Sequence, residues 1–171
     1  ALGLDELGGE LEVAAAADAR FPVVDVHTHT SFGEKPAPIF GGAYSLEDYL
    51  KQRKAAGIVA SVSMEMWKDD RSPDLRSRHV IHCAGVGERV DLERIEKGLE
   101  SGRYGCVKIY LGYIPRYASD PAYGPVYRLA ARYNVPVVFH TGDTSDKDAL
   151  VKYADPMAID EVAVANRDVR F

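Results

Sequence analysis

The feature of this sequence that most restricts its fold is a regular alternation of two kinds of segment from Phe21 onward. Short runs rich in β-branched and aromatic residues alternate with longer amphipathic stretches, which is typical of successive βα units on a parallel sheet. The intervals suit this arrangement, because a βαβ unit takes about 30 residues. The predicted strands cover residues 23–29, 58–66, 79–86, 106–111 and 135–140, and a sixth begins near Val169.

Three of the stretches between these strands have the signals of helices. Ser45 can cap a helix over residues 46–56, and Gly57 follows the end of that helix. Residues 91–99 and 125–133 form two further amphipathic segments. A predicted helix therefore precedes the second, fourth and fifth predicted strands.

These elements predict one α/β domain built as a barrel. We expect residues 21–171 to form about five βα units and the start of strand six of a (β/α)8, or TIM-type, barrel. Residues 1–20 are interpreted as a lead-in segment. A closed barrel of this type takes about 250 residues, whereas the sequence has 171. The predicted barrel is therefore incomplete.

Composition and charge exclude several classes of partner. The sequence is 46% hydrophobic and 27% charged, with a formal net charge of −5 and interspersed signs. It therefore offers no basic surface for nucleic acid and no apolar span for a membrane, which favours a small-molecule substrate. The acidic N-terminal segment is unlike a signal peptide, and Cys83 and Cys106 are not clustered, so we predict a cytoplasmic enzyme with two reduced core thiols.

Two histidines share one face of the first predicted strand. Side chains alternate with period two, so His27 and His29 in VVDVHTH project the same way. Active sites of (β/α) barrels lie at the carboxyl ends of the strands, where two imidazoles can chelate a metal. An isolated pair of this kind is as often structural, but His140 ends the fifth strand and supplies a third imidazole. Three protein ligands are typical of a catalytic metal.

Three segments together resemble a known family. VVDVHTHT, GCVKIYLGY and VPVVFHTGDT, in this order, resemble the amidohydrolase superfamily of metal-dependent hydrolases, and in particular its amidohydrolase-related branch, which also contains decarboxylases. The resemblance runs from about Phe21 to the last residue. It implies that His27, His29 and His140 bind one divalent metal ion, with zinc as the expected ion. The family also uses a histidine ending strand six and an aspartate ending strand eight, so we expect weak metal binding and no turnover by this chain alone.

The fourth predicted strand and the loop after it supply further candidates. CVKIYL places Lys108 and Tyr110 on the face toward the barrel axis. An inward lysine is unfavourable unless it has a function, so Lys108 is a candidate catalytic residue; a carbamate ligand, implied by the resemblance, and a structural ion pair are alternatives. Tyr110, Tyr113 and Arg116 are candidate substrate-binding residues. The tyrosines could equally be loop anchors, and Arg116 could be a solvated surface residue.

Two carboxylates complete the candidate set. Glu65 is predicted to point inward near the barrel mouth, as a substrate-binding residue. Asp143 follows His140 in a Gly-Asp turn, which turn chemistry alone can explain, but that loop opens over the expected metal, so Asp143 is a candidate catalytic residue. His79 and His82 fall on opposite faces of the third strand and are not expected to take part.

The complete parent enzyme is predicted to be a hydrolase in which metal-activated water attacks an amide-like, lactone or ester bond of a small molecule. A decarboxylase of the same branch is an alternative that these residues do not separate. A phosphoesterase that also opens with HxH is weaker, because KIYLGY and HTGDT lack further ligands. A non-catalytic metal-binding fragment is the third possibility; its open sheet edges would pair with a complementing chain or with a second copy.

Overall fold

The structure, a computed structural model, describes residues 21–32, 45–67 and 72–171, so the predicted lead-in segment lies outside the described residues. The elements follow the predicted alternation of strands and helices, except that the described residues between β2 and β3 contain only a 3-10 helix, Arg76–Arg78. The strands are β1 (Val23–Thr28), β2 (Ile58–Met64), β3 (Val80–Val86), β4 (Cys106–Ile109) and β5 (Val137–Phe139). The helices are α1 (Leu46–Ala55), α2 (Leu92–Glu100), α3 (Gly124–Arg132) and α4 (Asp160–Ala165). Within the described ranges, no helix is long and apolar enough to span a membrane.

The five strands form one parallel sheet in the order β1-β2-β3-β4-β5. In a doubly wound sheet the strand order reverses at a switch point. Here every strand pairs with its neighbour in sequence, which is the arrangement of a (β/α) barrel. The fold class is therefore confirmed as five βα-type units of an incomplete barrel.

Hydrogen bonds cap the helices at positions that the sequence indicates, one at the start of α1 and one at the end of α3. The Ser45 hydroxyl accepts a hydrogen bond from the Asp48 N–H at 3.1 Å and caps α1. After the C-terminal end of α3, Asn134 adopts a positive φ of 51°, and the Val135 N–H donates to the Ala130 carbonyl at 3.0 Å. That bond uses Val135 in the helix cap, which is why β5 begins later than predicted.

The two faces of the sheet have different environments. Val107 and Ile109 of β4 are fully buried and pack in the main core, with Ile95 of α2 and Val126 of α3. Burying one such side chain contributes about 1.5–3 kcal/mol. The alternate residues of β4 belong to the opposite face, where Cys106 packs in a second, smaller cluster. The predicted separation of an apolar helix side from a more polar barrel side is confirmed for β4.

The residues at the predicted start of strand six lie beside β5 but do not form a strand. Residues 169–171 are not assigned as a strand, but the Val137 N–H donates to the Arg170 carbonyl at 2.9 Å. The Phe171 ring stacks on Phe139 with centroids 5.6 Å apart. The chain after α4 therefore returns to the side of β5 where a sixth strand would pair.

The prediction of two reduced cysteines is wrong for this structure. Cys83 and Cys106 form a disulfide between β3 and β4. The parallel register sets these two residues directly opposite each other, with Cα atoms 4.3 Å apart. Their sequence separation of 23 carries no clustered motif, so only the strand pairing reveals that the two sulfurs meet.

We expect the purified chain to have no free thiol. Alkylation of the denatured, unreduced chain should add nothing to its mass, and alkylation after reduction should modify both Cys83 and Cys106. Reduction should lower the free energy of unfolding by about 3 kcal/mol, because the bond closes a loop between two strands. A Cys83→Ser, Cys106→Ser double variant is the control and should not respond to reductant. Two alkylated cysteines in the unreduced chain would contradict the disulfide.

Candidate active site

The structure places the three predicted metal-ligand histidines at the same end of the sheet, where the strands have their carboxyl ends. His27 lies near the end of β1 and His29 follows it on the same face, with ring centroids 5.5 Å apart. His140 is the residue after β5. Although β1 and β5 are the outermost strands of the described sheet, His140 is near enough to influence the pKa of His27. The three imidazoles therefore share one electrostatic environment at the carboxyl ends of the strands.

Hydrogen bonds to main-chain carbonyls fix two of these rings. The His29 Nδ1–H donates to the Met64 carbonyl at 2.8 Å, and the His140 Nε2–H donates to the Asp143 carbonyl at 2.8 Å. A carbonyl can only accept, so each of these ring nitrogens carries the proton. The lone pair of neutral His29 is therefore on Nε2, and that of neutral His140 is on Nδ1.

The surroundings favour the neutral form of all three imidazoles. Desolvation lowers the pKa of His27, and the nearby Lys108 ammonium lowers it further. Desolvation is also the main cause of the lowered pKa of His29 and His140, with smaller opposing contributions from their carbonyl partners. Since His27 and His29 remain partly open to solvent, screening limits these effects. A neutral imidazole is the form that binds a metal or accepts a proton.

Lys108 is the charged group at the centre of this arrangement. Its side chain is only 1% exposed, and burial lowers its pKa to about 8. Its ammonium lies 5.3 Å from the centroid of the Tyr110 ring. Among the residues that the structure describes, no carboxylate pairs with it, so the structural ion pair considered above has no partner there. Lys108 is instead a buried cation whose charge lowers the pKa of the three imidazoles.

The side chains of the site are suitable ligands for a divalent metal, but their positions in this structure do not bring them together around one ion. Neutral imidazole nitrogens are preferred zinc ligands, and the carbonyl bond of His29 leaves its Nε2 available. However, within the described ranges no three His, Cys, Asp or Glu side chains converge closely enough to hold one ion. His140 also directs its Nε2–H at the Asp143 carbonyl. His140 would therefore bind a metal through Nδ1, and the three imidazoles would have to move closer together to share one ion.

Tyr110 and Tyr113 lie in different environments. Tyr110 is buried, and its hydroxyl donates to the carbonyls of Met64 and Glu65, each at 3.1 Å. Burial raises the pKa of Tyr110 well above its usual range, so its hydroxyl keeps its proton. Tyr113 is half-buried, its ring lies edge-on to His140 at 4.8 Å, and its hydroxyl accepts a hydrogen bond from the Ser145 N–H. Tyr113 is thus the tyrosine beside a candidate ligand.

Arg116 and Asp143 have local partners. The Arg116 guanidinium donates to the Glu88 carbonyl at 2.6 Å, which ties the loop after β4 to the loop after β3. The Asp143 carboxylate is exposed and accepts a hydrogen bond from the Thr144 N–H at 2.8 Å. Both side chains therefore stabilise loops, and only Asp143, through its carbonyl, contacts a candidate ligand.

The predicted inward orientation of Glu65 is wrong. Its carboxylate is buried on the helix side of the sheet, where it accepts a hydrogen bond from Arg103 at 2.5 Å and lies 2.9 Å from His82 Nδ1. His82 Nε2 accepts a hydrogen bond from the Leu75 N–H, so its proton is on the nitrogen facing Glu65. Both faces of β2 carry small or apolar side chains, so the sequence pattern did not show which face of this strand points toward the barrel axis.

Sequence reasoning also missed a cavity beside the histidines. The cavity has a volume of about 590 Å³ and includes Tyr113, which contacts His140. The loops after β2 and β5 supply its other lining residues. These are Met66, Trp67, Ser145, Asp146 and Lys147. They lie on loops without a motif, so no signal in the sequence places them together.

One comparison with known proteins identifies the family of this chain. The sequence profile of the amidohydrolase family, Amidohydro_2, matches residues 24–171. Among solved structures, the chain is similar to a probable 2-pyrone-4,6-dicarboxylic acid hydrolase from Acinetobacter baumannii with citric acid bound, at 11% identity and a TM-score of 0.49. That similarity covers 71% of this chain and 50% of the other, so this chain spans about half its length. No curated protein matches the sequence.

We expect replacement of Lys108 by methionine to stabilise the chain at pH 7. The pKa of Lys108 falls from 10.5 to about 8 on folding, so the unfolded state binds more protons between these values and stability rises with pH across that window. Removing the buried charge should raise the free energy of unfolding by about 1–3 kcal/mol at pH 7. The gain should shrink between pH 8 and 10.5. Lys97→Met, at an exposed lysine, is the control for urea denaturation and should show no such pH-dependent gain.

Glu65→Gln should destabilise the fold, because Arg103 and His82 would then face a neutral amide in a buried position. We expect a loss of about 1–3 kcal/mol in the free energy of unfolding. Glu93→Gln, which breaks an exposed pair with Lys97, should change it by less than about 0.5 kcal/mol. Unchanged stability in Glu65→Gln would show that the carboxylate is not a structural anchor.

Proposed function

Because this chain belongs to the amidohydrolase family, we propose that its hydrolase-type function is metal-dependent and that His27, His29 and His140 hold one divalent ion, with zinc as the expected metal. One observation carries this proposal. The three imidazoles stand at the carboxyl ends of β1 and β5, and their surroundings favour the neutral form in each case. Protein ligands must be deprotonated to bind a metal, and these rings meet that condition near neutral pH.

The proposed reaction is attack of water on an amide-like, lactone or ester bond of a small molecule. When bound, a divalent ion would lower the pKa of a water molecule toward 7 and polarise a substrate carbonyl. The ammonium of Lys108 would stabilise negative charge that develops on that carbonyl oxygen, since no described carboxylate neutralises it. The exposed carboxylate of Asp143 is the proposed proton acceptor. The same groups would serve a decarboxylase, which product analysis distinguishes from a hydrolase.

The proposed substrate site is the cavity that includes Tyr113. Tyr113 lines that cavity and its ring contacts His140, so a molecule bound there would lie close to that imidazole. Tyr110, Arg116 and Glu65 already have main-chain or side-chain partners. Their direct contact with a substrate remains a prediction that would require those bonds to break.

A second candidate function is a metal-binding half of a barrel that is completed by another chain or by a second copy. One observation favours it: β1 is an edge of the described sheet, and its Val24 and Val26 side chains are exposed by 52% and 65%. Exposed strand edges recruit other strands. Analytical ultracentrifugation of the chain would test this proposal.

The cytoplasmic location predicted from the sequence stays a prediction. The disulfide between Cys83 and Cys106 weighs against it, because thiols of cytosolic proteins are kept reduced. Thiol alkylation during cell lysis, followed by mass measurement, would establish which redox state the chain has in its own compartment.

We expect the wild-type chain to bind about one zinc ion per chain, with weak affinity, when it is dialysed against a buffer that contains zinc. A His27→Ala, His140→Ala double variant should lose it, because two of the three proposed imidazole ligands are gone. Elemental analysis and Co²⁺ absorption spectra measure binding without any need for activity. His79→Asn is the matched control: it replaces an exposed histidine that has a φ of 59° and precedes β3, and asparagine tolerates that conformation. Equal metal content in all three proteins would refute the proposed ligand set.

A further inference from the structure

We infer that Tyr110 is a positioning residue for His29: together with the main-chain carbonyl of Met64, it holds the His29 ring as the Nδ1–H tautomer with the Nε2 lone pair free. Tyr110 would then act through His29 and not through a substrate. The inference rests on the proposed function only where that lone pair is assigned to a metal ion. The tautomer itself can be tested without any metal.

The first step of the argument is the bond of His29. Its Nδ1 lies 2.8 Å from the Met64 carbonyl oxygen, which has no proton to give. Free neutral histidine in water prefers the opposite tautomer, with the proton on Nε2. The surroundings of His29 therefore impose the tautomer, and the Met64 carbonyl is the group that does so.

The second step is the group that fixes this carbonyl. The Tyr110 hydroxyl lies 3.1 Å from the carbonyl oxygen of Met64 and 3.1 Å from that of Glu65, and its side chain is only 4% exposed. A carbonyl oxygen has two lone pairs, so the Met64 oxygen can accept from both Tyr110 and His29. Because the Tyr110 proton is shared between two main-chain acceptors, it is not directed at the cavity.

The third step concerns the other side of the same peptide. The Glu65 N–H donates to the Cys83 carbonyl at 3.2 Å, and the Glu65 carboxylate is held by Arg103 on the helix side. The peptide between Met64 and Glu65 is therefore bonded to β3 through its N–H and to Tyr110 and His29 through its carbonyl oxygen, while the Glu65 side chain is anchored separately. Of these bonds, only those from Tyr110 and His29 reach the Met64 carbonyl oxygen on the barrel side, so loss of the Tyr110 hydroxyl should release it.

The test is a comparison of Tyr110→Phe with wild type. In the metal-free, ¹⁵N-labelled chain at about pH 8, above the ordinary histidine pKa, long-range ¹H–¹⁵N correlation should show His29 of wild type with a protonated Nδ1 and an unprotonated Nε2. In Tyr110→Phe, His29 should shift toward a mixture with Nε2–H. Affinity for Zn²⁺, measured by calorimetry, should fall about 10- to 100-fold, as is usual when a partner of a metal ligand is removed.

Tyr127→Phe is the matched control, because Tyr127 is equally buried and its hydroxyl donates to the Ala118 carbonyl at 2.6 Å in the helix-side core. That variant should leave the His29 tautomer and the Zn²⁺ affinity unchanged. An unchanged tautomer in Tyr110→Phe would overturn the inference. So would a wild-type His29 that carries its proton on Nε2, a result that does not depend on whether the variant folds. A wild-type chain that binds no Zn²⁺, yet changes its His29 tautomer in Tyr110→Phe, would refute the proposed metal and support the positioning role.

Discussion

Main-chain hydrogen bonding between parallel strands fixes which residues of this chain lie beside one another. In the sheet, Met64 pairs with Cys83, and Cys83 pairs with Cys106. Because side chains alternate along each strand, this register separates an apolar set that packs on α2 and α3 from a set that faces the barrel side. Lys108 is two residues beyond Cys106 on that second face. The site therefore depends on the register as much as on its own residues.

Of the buried charged groups at this end of the sheet, one has no described partner of opposite charge and the other has such a partner. On the barrel side, Lys108 lacks a described carboxylate partner, and its charge lowers the pKa of the imidazoles around it. On the helix side, the Glu65 carboxylate is compensated by Arg103 and His82. A buried charge without a partner lowers stability, and such perturbed groups cluster at functional sites. This contrast supports the proposal that the functional site is on the barrel side.

The barrel architecture could be read from the sequence because its signals are local and periodic. The runs around β1 to β5, the cap at Ser45 and the separate faces of Lys108 and Ile109 each follow from residues within a few positions of one another. The orientation of Glu65 could not be read in this way. Both faces of β2 carry residues compatible with burial, so its inward face was set only by contacts with β3 and by the ion pairs to His82 and Arg103.

The sequence by itself determined the order of βα units, the family to which the chain belongs and the positions of His27, His29 and His140 at strand ends, because strand periodicity and short motifs are properties of contiguous residues. The disulfide, the tautomer of His29 and the partners of Tyr110 and Glu65 were decided only by the tertiary structure. Each of these depends on atoms that are distant in the chain and meet only when neighbouring strands are aligned. Pairwise geometry of this kind leaves no periodic trace in a single sequence.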